Sequence, residues 1–240
     1  MSDENTTPSN PFTGRGFIAA AVVVGVIILA AVIVLVTSLS SPRDPVAQPT
    51  STPSGPVASG DDRSICGLEG FETESSLTAA PETKWELVGT VAAPSDPTGA
   101  GPGVTDGDGF RTCFAHTATG ALYAAMNFVA LGTDGTLRPR LTELVAEGPG
   151  KDAIASSDPG PSSGDGGRAQ LAGFKVDSYD GGSATVDLAL NYNTGDLVSL
   201  PIKLVWEDGD WKLVLTPTGE LPLKPAQLQS LGGYIPWAGA

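Results

Sequence analysis

Residues Gly16 to Val36 read GFIAAAVVVGVIILAAVIVLV, 21 consecutive positions without a charge or a strongly polar side chain. At about 1.5 Å rise per residue such a helix covers roughly 31 Å, the hydrocarbon thickness of a bilayer. Apolar side chains fall on every face, so the helix has no polar stripe for solvent. A buried core helix is the bland alternative, but nothing else in the chain is apolar enough to wrap it. A cleavable signal peptide is the closer competitor. Its apolar region usually spans about 7–15 residues, shorter than this run, and Pro42 follows Ser38-Leu39-Ser40 closely. No Cys directly follows the run, which excludes a lipoprotein anchor. The reading adopted is an uncleaved single-pass anchor over residues 16–39.

Orientation is not set by flanking charge, because Arg15 and Arg43 balance each other. The short polar tail at 1–15 cannot form a domain. The stretch over 40–63 (SSPRDPVAQPTSTPSGPVASGDDR) is rich in Pro, Ser, Thr and Gly and reads as a stalk. Both cysteines lie beyond it. These features place the amino terminus in the cytoplasm and residues 64–240 outside, in a cell-membrane protein.

The net charge is −14, and all but one of 13 basic residues and two of 27 acidic ones lie beyond residue 42. Nucleic-acid binding needs clustered Lys and Arg, so this balance argues against it. Docking on anionic lipid headgroups is disfavoured for the same reason. Cys66 and Cys113 are the whole thiol inventory. In an oxidising compartment two cysteines are usually joined, although two unpaired core thiols stay open as an alternative.

The pattern of the exported part predicts an α+β fold. Lys84 to Ala92 alternates as a first strand, and the following PSDPTGAGPGVTDGDGF reads as a loop. Thr117 or Thr119 can cap a buried helix through HTATGALYAAMNFVAL. Arg138 to Glu147 reads as a shorter helix stopped by Gly148-Pro149-Gly150, and a third turn is expected at Lys151–Ser156. From Leu171 the period changes to two. Four runs follow, to Tyr179, over Ser183–Tyr192, over Leu197–Trp206 and over Asp210–Leu215, with Asp208-Gly209 as a strong hairpin signal. Two or three helices on a curved antiparallel sheet of four to five strands is the expected architecture.

Several residues carry a resemblance. The anchor and stalk, Ile65-Cys66-Gly67-Leu68, Trp85, the run Cys113-Phe114-Ala115-His116-Thr117-Ala118-Thr119-Gly120-Ala121, the hairpin ending in Trp211 and Pro236-Trp237 resemble a group of actinobacterial single-pass membrane proteins. Their soluble part is similar to the cone-shaped nuclear-transport-factor-2-like domains of bitopic type IV secretion and conjugation subunits. That resemblance implies a non-catalytic scaffold or assembly subunit of an envelope complex, with other envelope proteins as partners and self-association compatible. It supplies no catalytic residue.

Candidate chemistry is sparse. His116 is the one histidine, so any Ser-His-Asp or Cys-His mechanism would have to use it; a capping or partly exposed side chain is the simpler expectation. Asp106-Gly107-Asp108-Gly109 resembles the start of a calcium loop, but Phe110 and Thr117 stand where further oxygen ligands are needed. Glu207, Asp208 and Asp210 are expected as hairpin-turn carboxylates. No cofactor or metal is implied. Trp206 and Trp211 flank one turn and can pair across strands. Phe174, Trp206, Trp211 and Trp237 are therefore the candidate pocket or interface residues. A small-ligand or cell-wall binding module, with its pocket near Phe174, Trp206 and Trp211, is the alternative to the scaffold, and an enzyme is the third reading.

Overall fold

The computed structural model of the protein describes residues 62–157 and 168–239. The expected tail, membrane helix and nearly all of the stalk lie outside the described residues. Among the described residues no helix is long and apolar enough to cross a membrane. The chain divides into two compact units at residues 52/53, and everything described belongs to the second.

The chemistry of turns decides where the strands fall. Lys84–Val88 (β1) and Val91–Ser95 (β2) form an antiparallel hairpin in which Val88 pairs with Val91. The single strand expected over 84–92 is therefore two. Gly89, at φ 57°, supplies the positive φ that a glycine-first two-residue turn demands. Alternation passes through so short a turn unbroken, which is why periodicity alone missed it. The loop that follows also holds structure: Val104–Thr105 (β3) pairs with Arg111–Thr112 (β4), with the Asp106–Gly109 run as the tip.

The predicted helix runs Ala118–Gly132 (α1). Its cap is Thr117, whose Oγ1 accepts the Gly120 N–H at 3.0 Å. Most of its residues are buried, because β2 lies on one flank and the main sheet on the other. Ala118, Ala121, Ala124 and Ala125 keep it slim enough to fit between them. Gly120 is obligatory for another reason: a Cβ there would sit 1.9 Å from the Ala115 carbonyl oxygen. The second predicted helix is a 3-10 helix, Arg138–Leu144, shorter than expected. The Gly148-Pro149-Gly150 run does not simply stop a helix; Pro149 opens the next, Pro149–Ala155 (α2), where a missing N–H costs nothing.

The main sheet is built from Ala169–Tyr179 (β5), Ser183–Tyr192 (β6), Leu197–Glu207 (β7) and Asp210–Leu213 (β8), a sequential antiparallel meander. Two short strands raise it to six: Ala226–Gln227 (β9) on β7 and Ile235–Pro236 (β10) on β5. The mixed α+β class and the three helical segments agree with expectation, with more strands than anticipated. Register shifts at Leu171/Gly173 and Val176/Ser178 mark bulges in β5. Gly173 also admits β10, since a Cβ there would meet the Ile235 carbonyl oxygen at 2.8 Å. Ala184, Val186, Leu188 and Leu190 of β6 face Ile202 and Leu204 of β7 in a core shared with α1.

Candidate functional site

Cys66 and Cys113 are joined by a disulfide. Cys66 is exposed and Cys113 fully buried, so the bridge ties the edge of the domain to its interior. Around it the segment entering the domain is fastened repeatedly. The Ile65 N–H donates to Gly209 O at 2.8 Å, the Glu72 N–H to His116 O at 3.1 Å, and the Glu72 carboxylate accepts the Ala118 N–H at 2.8 Å. Cys113 adopts φ 64°, rare for a non-glycine residue. The conformation is held by Asp210, whose carboxylate accepts the N–H groups of Cys113 and Phe114, both at 2.9 Å. Asp210 is thus not the solvated turn carboxylate expected from the sequence. Burial pushes its carboxyl above the ordinary carboxylate range, against the Cys113 and Phe114 N–H donors that pull it down.

His116 also departs from expectation: it is buried, not a partly exposed cap. Nδ1 lies 2.8 Å from Asp62 O and Nε2 2.6 Å from Gly181 O. Both nitrogens face carbonyl oxygens, so neither is turned toward a substrate. The ring stacks on Trp206 at 3.8 Å between centroids and 6° between planes.

The four candidate residues fall into two separate clusters. Trp206 and Trp211 do pair across β7 and β8, with centroids 5.3 Å apart, and join His116 and Tyr179. The Trp211 Nε1–H donates to Ala115 O at 3.0 Å. Burial pushes the Tyr179 hydroxyl well above the usual tyrosine range. Phe174 and Trp237 belong instead with Trp85 and Tyr123 at another part of the core. There the Trp237 Nε1–H donates to Thr83 Oγ1 at 3.0 Å. Sequence spacing found the first pair because one turn joins it. It could not separate Phe174 from that pair, since Trp237, which claims Phe174, arrives from 63 residues further along the chain.

A cavity of about 10 Å³ lined by Arg111, Asn127, Phe114 and Trp211 has room for about one water. Arg111 is buried there; it pairs with Glu86 and donates to Asn127 Oδ1 at 3.3 Å, while its Nε lacks a protein partner. A shallow surface groove of about 260 Å³ runs past Ile65, Val145, Glu147, Lys151, Glu207 and Asp208. Among the described residues no group of carboxylates, cysteines or histidine could hold a metal ion. The Asp106 and Asp108 carboxylates, which suggested calcium in the sequence, instead bind Arg140 at 2.9 and 3.0 Å. Arg140 also pairs with Glu143 and lies over the Phe110 ring.

A bulged antiparallel meander with a helix across one face, stapled at its entry by a disulfide, defines an α+β class of small domain. The chain belongs to the family described as a domain of unknown function (DUF8175), whose profile matches residues 46–236. No curated protein and no solved structure matches it.

Proposed function

We propose that the protein is a membrane-anchored, non-catalytic assembly subunit of a cell-envelope complex, with residues 16–39 in the bilayer and the described domain presented outside the cytoplasm. The observation that carries this reading is the burial of three of the four candidate aromatic residues. Phe174, Trp211 and Trp237 are buried in packing contacts, and the cavity beside Trp211 is too small for an organic ligand. The outer surface is left to do the work. The disulfide supports an oxidising location. A helix lying across a bulged antiparallel meander is also what the cone-shaped domains of secretion and conjugation channels use, and that context is the setting we favour.

Among the described residues, Ile65 and Leu87 are the large aliphatic side chains most open to solvent, 72% and 75% exposed, and so the natural places to probe for contacts. Photo-crosslinking residues placed at these two positions in intact cells should capture other integral membrane proteins, the full-length subunit remaining in the membrane fraction. Recovery of the chain as a free cytosolic species with reactive thiols, or no adduct to another membrane protein at either position, would overturn the assignment.

A further inference from the structure

Tension on a tethered domain enters where the tether meets the fold, and here that point is covalently cross-linked. We propose that the Cys66–Cys113 bridge is a load shunt: pulling on the amino-terminal side is passed directly to the segment leading into α1, and residues 67–112 carry none of it along the backbone. This rests on the tethered reading above, but it concerns a mechanical property of the domain that can be measured apart from any partner.

The path follows from connectivity. Force arriving at Cys66 crosses the disulfide to Cys113, whose Sγ also accepts the Cys66 N–H at 3.2 Å. From Cys113 it reaches the sheet through the Asp210 carboxylate, which holds the Cys113 and Phe114 N–H groups, and through Ala115 O, which holds Trp211. Both receivers sit on β8. The bypassed loop contains β1 to β4 and with them exposed Leu87. The contact surface it offers therefore stays in register while the stalk is pulled. Without the bridge, the same pull would peel residues 62–72 away and then load β1.

Single-molecule pulling on the full chain, with handles in the stalk and at the carboxyl terminus, tests this. The oxidised protein should rupture cooperatively, and adding a dithiol reductant should lengthen the released chain by roughly 160 Å, the reach of a 47-residue separation at about 3.5 Å per residue. Reduction should also introduce an early low-force step. The variant Asp210→Asn, kept oxidised, should lower the rupture force without changing the released length. Reduced protein that ruptures in one step at the oxidised force would overturn the proposal, as would an Asp210→Asn chain with unchanged force. Failure of either leaves the crosslinking result standing, so the two readings fail separately.

Discussion

The meander β5–β8 and the wrap formed by residues 62–116 are held by different kinds of bond. In the meander, neighbouring strands satisfy one another through long ladders, broken only at the two bulges of β5, and turns such as Asp208-Gly209, both at positive φ, set the register. The wrap has only two short hairpins. Beyond these it is tied down by single backbone bonds and by side chains: Asp210 holds Cys113 and Phe114, Glu72 reaches Ala118, Trp211 holds Ala115, and His116 meets Asp62 and Gly181. A ladder loses one bond when one residue changes. A wrap loses a whole attachment. Mutations of equal size should therefore cost more in the wrap, and cost it in larger steps.

The largest expected effect is on the staple. Replacing Cys66 and Cys113 together by Ala should lower unfolding stability by about 4 kcal/mol on the chain-entropy account of a loop this long, read as a shifted denaturant midpoint. A loss under about 1 kcal/mol would show that the wrap holds without it. Next is Tyr234→Phe, which removes a 2.7 Å hydrogen bond to the buried Asp187 carboxylate and should cost about 1.5–3 kcal/mol. It tests the meander's own outlying attachment, since Tyr234 belongs to the C-terminal segment. Thr117→Ala removes the α1 cap and should cost about 1 kcal/mol by the same assay.

A pH series sharpens the contrast with a smaller signal. Hydrogen bonds from Ser183 hold the Asp180 carboxyl below the usual carboxylate range, and those from Thr136 do so for Asp134. Their contribution is present above the unfolded value near 4 and fades as pH falls through the lowered folded values. Asp210 has the opposite sign. Its raised value favours the fold below about pH 4, and that advantage is lost as pH rises through the folded value. Denaturant midpoints from pH 3 to 7 should fall on the acid side, and Asp210→Asn should climb more steeply above about pH 4 than the native chain. A parallel pair of curves would show that Asp210 does not titrate with folding.

The same contrast governs what could be read from the sequence. The meander was legible almost to the residue, Ser183–Tyr192 included, because alternation and turn chemistry are local. The Trp206–Trp211 pair was legible for that reason too. The wrap was not. Nothing near Asp210 shows that its carboxylate will bury itself against backbone amides 96 and 97 residues earlier in the chain. His116 likewise looked like a helix-start residue, and only the arrival of Asp62 and Gly181 makes it a buried one. Among the fold elements, the Gly89 hairpin does carry a local signal, a glycine between two Val-containing runs. The grouping of Phe174 with Trp237 was recorded in no local pattern at all.

Trp237 sits against Phe174, Tyr123 and Trp85, and Pro236 beside it adds an edge to β5. The indole plugs a space that earlier residues leave between them. Synthesis proceeds from the opposite end, so every other buried core side chain among the described residues emerges before the plug does. Until Trp237 arrives, the space between Phe174, Tyr123 and Trp85 is an open seam, so the fold can close only on its last turn of chain.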